Sequence, residues 1–126
     1  MANPNLITTA TVKGKTFVTN LNTTGSTLIL SNSINSSKVF KIETIMVANR
    51  DSSTAVSITA NYYNSASITK AQTSGSIAYT VSVPAKSTLM LIDKASSFYL
   101  EENKSIGAIA GTAAKLTVFC SYQDVS

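Results

Sequence analysis

Histidine and tryptophan are absent from this 126-residue chain, cysteine occurs once and proline twice. Without histidine there is no side chain that ordinarily exchanges protons near neutral pH, and the commonest neutral metal ligand is missing. Most hydrolase schemes end there. Without tryptophan the chain lacks the best platform for stacking a sugar ring, and it has neither the tryptophan nor the paired cysteines of an immunoglobulin-like sandwich. Cys120 cannot form an intramolecular disulfide. It alternates with Leu116, Val118 and Tyr122 on what reads as a core face, so a buried structural thiol is expected rather than a nucleophile.

Charge is also scarce. Charged residues make up 13% of the chain, about half the usual share of roughly 25%. The net charge is +4, but the ten basic residues are scattered singly and only Arg50 is an arginine. No basic stripe forms, and nucleic acid is not an expected partner. No apolar segment approaches the roughly 18 residues that a membrane helix needs. Met1 to Thr11 lacks the charged start and apolar run of a secretory signal. The expectation is synthesis in the cytoplasm, assembly there, and no membrane partner.

What is plentiful is small and β-branched. Hydrophobic residues reach 44%, so a chain of this length can bury one real core without metals or disulfides. Ser, Thr and Asn must clothe most of the surface, which suits stacking against other protein more than steering a charged substrate. Alternating apolar and polar runs rich in Val, Ile, Thr and Tyr recur along the chain, and no stretch has a helical period. Thr54 to Tyr63 is the clearest, with Val56, Ile58, Ala60 and Tyr62 on one face and Ser57, Thr59 and Asn61 on the other. Thr16 to Leu21 and Ser26 to Ser31 read as a hairpin across Asn22 to Gly25.

Further strands are expected over Val39 to Asn49, Ser67 to Ala71, Ser76 to Val83, Ser87 to Asp93, Ser97 to Leu100, Ile106 to Ala110 and Lys115 to Gln123. Pro84 marks a strand end or edge, and Gly107 and Gly111 mark bends or turns. About eight to ten short strands in a chain this size predict one all-β domain, an antiparallel sandwich of jelly-roll type over residues 13–126. Residues 1–12, with Asn3-Pro4-Asn5, read as an extended N-terminal arm.

The search for chemistry returns little. Six carboxylates are present. Glu101 and Glu102 point to opposite faces of a strand end and do not converge as a glycosidase pair must. Asp51-Ser52-Ser53 has the composition of a calcium loop, but an Asx turn explains it more simply. Ser37-Lys38 is the kind of chance adjacency that a serine-rich chain produces. Phosphate-cradling glycine motifs are missing. The expectation is no enzyme, no metal, no cofactor and no small-molecule substrate.

Contact surfaces are more promising. The second half of Val39 to Asn49 and Ser87 to Asp93 read as apolar on both faces, so Ile45, Val47, Met90 and Ile92 need cover beyond a single sandwich core. They are candidate interface residues. Tyr63, expected to point outward, and the arm residues Asn3, Pro4, Asn5, Leu6 and Ile7 join them.

Several segments carry a resemblance. Met1-Ala2-Asn3-Pro4-Asn5, Val39-Phe40-Lys41-Ile42 leading to Val47-Ala48-Asn49, Val83-Pro84-Ala85, Phe98-Tyr99-Leu100-Glu101-Glu102 and the closing Ser121-Tyr122-Gln123-Asp124 together resemble small virion structural proteins of tailed bacteriophages, particularly phages of marine bacteria. Such proteins often place a Gly-Asp turn after the Leu-Glu-Glu segment. This chain has Asn103-Lys104 there, and asparagine keeps the turn because it tolerates the left-handed region.

The resemblance implies a β-sandwich subunit of the virion, best described as a capsid decoration (cement) protein that bridges neighbouring capsomers. Its partners would be copies of itself, as a homotrimer, and the major capsid protein or other virion proteins. A neck, tail or fibre-associated subunit is the close alternative. A carbohydrate-binding jelly-roll module, using Tyr63, Tyr79 and Tyr99, is the alternative from another class.

Overall fold

The computed structural model of the chain describes residues 11–68 and 73–126. Nine strands run through them: β1 (Val12–Leu21), β2 (Thr27–Asn32), β3 (Val39–Asn49), β4 (Val56–Tyr63), β5 (Thr73–Val83), β6 (Thr88–Ile92), β7 (Phe98–Leu100), β8 (Lys104–Ala110) and β9 (Leu116–Val125). They form two antiparallel sheets. Sheet A has the order β1-β9-β3-β6, with β7 also pairing β3, and sheet B has the order β2-β8-β4-β5. The chain is an all-β sandwich, as its alternating pattern predicts.

Between the layers lies one apolar core. Leu21, Ile42, Ile45, Val47 and Leu116 come from sheet A, and Ile58, Val83 and Ile106 come from sheet B, each 0–1% exposed. Two buried asparagines tie the layers together. Asn32, at the end of β2, donates to the carbonyls of Lys38 at 2.8 Å and Leu100 at 3.0 Å, and accepts from the Ser36 hydroxyl. Asn49, at the end of β3, donates to the carbonyls of Thr54 at 3.0 Å and Val83 at 2.9 Å and accepts from the Asp51 amide at 2.9 Å. Leu100 belongs to the sheet opposite Asn32, and Val83 to the sheet opposite Asn49. Each side chain thus holds a loop carbonyl and a carbonyl of the opposite sheet at once.

The chain crosses repeatedly from one layer to the other, and this corrects one expectation. Asn22 to Gly25 does reverse the chain, but β1 and β2 do not form a hairpin. β1 pairs β9 over its whole length, from Val12 with Val125 to Leu21 with Leu116, while β2 pairs β8. Turn composition dictates that the chain bends, not which strand it then joins. β9 offers β1 a register of ten residues with Leu21 and Leu116 both buried. β1 begins at Val12, and Thr11 exchanges backbone hydrogen bonds with Ser126 at 3.0 and 3.2 Å. The expected end of the arm therefore falls inside sheet A, and Asn3 to Ile7 lie outside the described residues.

Other expectations shift less. Ser67 and Ile68 are loop rather than strand, and the remainder of Ser67 to Ala71 lies outside the described residues. Val83 ends β5 at Pro84, on a sheet edge, as the missing amide requires. Gly107 sits inside β8 and has no positive φ. A Cβ there would stand 2.8 Å from the Tyr63 ring and 3.3 Å from the Thr27 carbonyl, so close approach, not a bend, requires glycine. Asn103 does take a left-handed φ of 57°, the turn conformation its residue type allows.

Candidate assembly surface

Two bulges decide which side chains reach the surface of sheet A. In β3, Ile42 pairs Tyr122 and Thr44 pairs Ser121, leaving Glu43 as an extra residue. The alternation therefore changes phase, and Phe40, Ile42, Ile45 and Val47 all face the core. In β6, Ile92 pairs Ile45 while Met90 pairs Met46, leaving Leu91 extra, and Ile92 turns inward as well. β3 in its second half and β6 are apolar on both faces, as expected, but the bulges turn Ile45, Val47 and Ile92 to the core and leave Met46 and Met90 on the outer face. Ile45, Val47 and Ile92, at 1%, 0% and 9% exposure, belong to the core and not to an interface. Met90 alone of that group is exposed, at 51%.

Tyr63 is corrected for a different reason. β4 has the faces its sequence predicts, with Val56, Ile58 and Ala60 inward and Tyr63 outward. The outward face is covered. The segment after β4 folds back over sheet B: the Ser105 hydroxyl donates to the Ser65 carbonyl at 2.6 Å, the Ser31 hydroxyl to the Ala66 carbonyl at 2.8 Å, and the Ala66 amide to the Asn103 side chain at 3.1 Å. Tyr63 lies beneath it, 6% exposed, its hydroxyl 2.9 Å from that of Ser26. Tyr63, Tyr79 and Tyr99 share no groove: Tyr63 is enclosed, Tyr79 projects from β5 in sheet B, and Tyr99 stands on β7 in sheet A.

The opposite outer face has an apolar row running across four of the five strands of sheet A, β1, β9, β3 and β6. Val18 of β1 pairs Phe119 of β9, Phe119 pairs Met46 of β3, and Met46 pairs Met90 of β6. Val18 is 50% exposed, and Phe119 and Met46 are half-buried between their neighbours. Small side chains border the row: Thr16, Ser121 and Thr44 on one side, Asn20, Thr117, Ala48 and Thr88 on the other. At one end of the face a groove of about 230 Å³ is lined by Val12, Lys41, Tyr99, Gln123 and Val125. β1 is the most open strand, exposed from Val12 to Val18.

Sequence reasoning missed Val18, Phe119 and Met46. Part of the signal was present. Leu116, Val118 and Cys120 were placed inward, and they are buried, which puts Phe119 outward by alternation among Thr117 and Ser121. That Val18 and Met46 flank it depends on register.

Several ionisable groups are engaged structurally. Asp124, 4% exposed, accepts from the Lys15 ammonium at 2.9 Å and lies 3.6 Å from that of Lys38. The Asp124 hydrogen bond, with the carboxylate's charge, raises the Lys15 pKa above its ordinary value. Asp51 accepts from the amides of Ser53 at 3.0 Å and Thr54 at 3.3 Å, the Asx turn its sequence suggests, and the Ser53 bond leads in lowering its pKa. Cys120 is fully buried, and burial pushes its thiol up to about 12, far from a reactive thiolate.

No family model matches this chain, and neither does any curated protein. Among solved structures it is similar to a chain from the Bacillus endospore appendages, "a novel family of disulfide-linked pili", with 12% identity over 90% of this chain and 87% of that one, at a TM-score of 0.49. A likeness at this level adds nothing to the architecture already described.

Proposed function

We propose that this chain is a non-enzymatic virion structural protein, a capsid decoration (cement) protein that stabilises a phage head by contact with neighbouring subunits. The observation that carries the reading is the apolar row Val18–Phe119–Met46–Met90 across one face, which no described segment covers, whereas Tyr63 on the other face is roofed by the chain itself. An exposed apolar patch rimmed by small polar residues is the signature of a protein contact surface. Stabilisation then comes from area buried across subunit boundaries rather than from chemistry.

Two further features support it. The strand order, with β1-β9-β3-β6 facing β2-β8-β4-β5, crosses repeatedly between two antiparallel layers, which is compatible with the expected jelly roll, an architecture of many viral capsid and lectin domains. The resemblance of segments such as Phe98-Tyr99-Leu100-Glu101-Glu102 to small virion proteins points the same way. Against an enzymatic role stand the places of the reactive groups: Cys120 buried, Asp51 committed to a turn and Asp124 to two lysines.

The test begins with mass spectrometry of purified virions from a phage carrying this sequence. The protein is then added to heads stripped of it, and DNA release on heating is followed. The expected outcome is its presence in virions, and later DNA release with the wild type but not with Val18→Lys/Met90→Lys. Absence from the virion overturns the reading.

A further inference from the structure

We infer that in solution the outer face of sheet A packs against the same face of a second copy of this chain, row on row, about a two-fold axis. The inference rests on the reading of that face as a contact surface and names its occupant.

Charge is the first argument. Each chain carries +4, so two copies repel unless they meet where neither is charged. The three central rows of the face, from Thr16 to Asn20 on β1 across to Thr88 and Met90 on β6, contain no ionisable side chain. Lys41, at the border, lies 3.9 Å from Glu43, which balances it. A nucleic acid or a strongly acidic protein would find no cation there to grip, whereas a second copy brings an equally neutral surface.

Shape is the second. With the axis parallel to the strands between β9 and β3, Phe119 meets the partner subunit's Met46 and Val18 meets the partner subunit's Met90. Each contact then occurs twice, as an isologous interface requires. Thioether against aromatic edge is a favourable pairing, and the small rows on either side let the two ridges approach.

Area is the third. Strands β1, β9 and β3 of 10, 10 and 11 residues and β6 of 5 residues, at a spacing of about 4.8 Å and roughly 3.4 Å per residue, give a face of about 600 Å². That is the order of the roughly 800 Å² per partner that a stable interface buries. Strand addition at the β1 edge competes poorly, because Lys13 and Lys15 on that edge oppose pairing with another positively charged strand.

The test is light scattering of the full chain at micromolar concentration, on the wild type, Val18→Lys/Met90→Lys and the control Tyr79→Lys, with circular dichroism to confirm folding. Tyr79 is 75% exposed on sheet B, away from the row. The expected result is a mass of two 13.2 kDa chains for wild type and control, and of one chain for the row variant. A monomeric or trimeric wild type overturns the inference, as does a two-chain mass that the row variant leaves unchanged. A monomer that still binds stripped heads through the row overturns the two-fold pairing while leaving the virion reading standing.

Discussion

The two outer faces of the sandwich differ in what was done with their apolar residues. On sheet B the outward side chain of Tyr63 is roofed by the segment after β4, which is held by hydrogen bonds from Ser31 and Ser105 and to Asn103. On sheet A the outward Val18, Phe119, Met46 and Met90 lie in line, bordered by Thr, Ser, Asn and Ala. Tyr63 carries a hydroxyl that Ser26 satisfies, whereas the four residues of the row are apolar throughout. The lesson is that a roof built by the chain itself makes an apolar face part of the fold, while a row that no described segment covers is available to something else.

If that contrast is right, truncation on the roofed face costs most. Tyr63→Ala removes a ring packed against Gly107 and the hydrogen bond to Ser26, and should lower the free energy of unfolding in urea by about 3–5 kcal/mol. A loss below about 1 kcal/mol would mean that the roof contributes nothing to the fold.

Alkaline pH probes the inner side of sheet A, directly behind the row. The Cys120 thiol keeps its proton in the fold up to about 12, whereas the unfolded thiol loses it from about 9. The native state thus binds more protons over that window, and stability falls as pH rises through it. At about 1.4 kcal/mol for each decade of pH, the loss is on the order of 4 kcal/mol by pH 12. Lys15 acts with the same sign: its raised pKa stabilises the fold fully below 10.5 and the contribution fades as pH climbs past the raised value. Urea titrations at pH 8, 10 and 11 should show Cys120→Ala losing less between the extremes than wild type. Equal slopes would place the alkaline sensitivity elsewhere.

A smaller effect is expected at Gly107, where an added methyl group must displace the far end of the Tyr63 ring. Gly107→Ala should cost about 1–3 kcal/mol in thermal or urea unfolding, and combining it with Tyr63→Ala should recover much of that cost. Simple additivity of the two would show that the Thr27 carbonyl, not the ring, sets the limit. Smallest of all are the changes on the bare face. Val18→Lys and Met90→Lys should each shift monomer stability by no more than about 0.5 kcal/mol under conditions where the protein is a single chain. A large loss there would make the row part of the core and erase the contrast between the faces.

Much of the architecture is legible in one dimension. β3 runs over Val39–Asn49 as its composition predicts, β4 has its expected inward face, and Leu116, Val118 and Cys120 are buried as alternation requires. These follow from the two-residue period of a strand half-immersed in a core, which needs no knowledge of neighbours. The candidate surface was far less legible. Ile45, Val47 and Ile92 were assigned to the wrong side because a bulge at Glu43 and another at Leu91 each change the phase by one residue. No local composition announces an extra residue, since it exists only relative to a partner strand.

What the sequence determined by itself, then, is the class of structure: period-two patterning, β-branched residues and a scarcity of charge compel a two-layer β protein with one core. Tertiary structure decided the rest. Pairing β1 with β9 rather than β2 aligned Val18 with Phe119, the two bulges sent Ile45 and Ile92 inward and left Met46 and Met90 outside, and the return of residues 64–68 buried Tyr63. Each is a relation between segments far apart in the chain, fixed by register and long-range packing, and so is invisible to any window that slides along it.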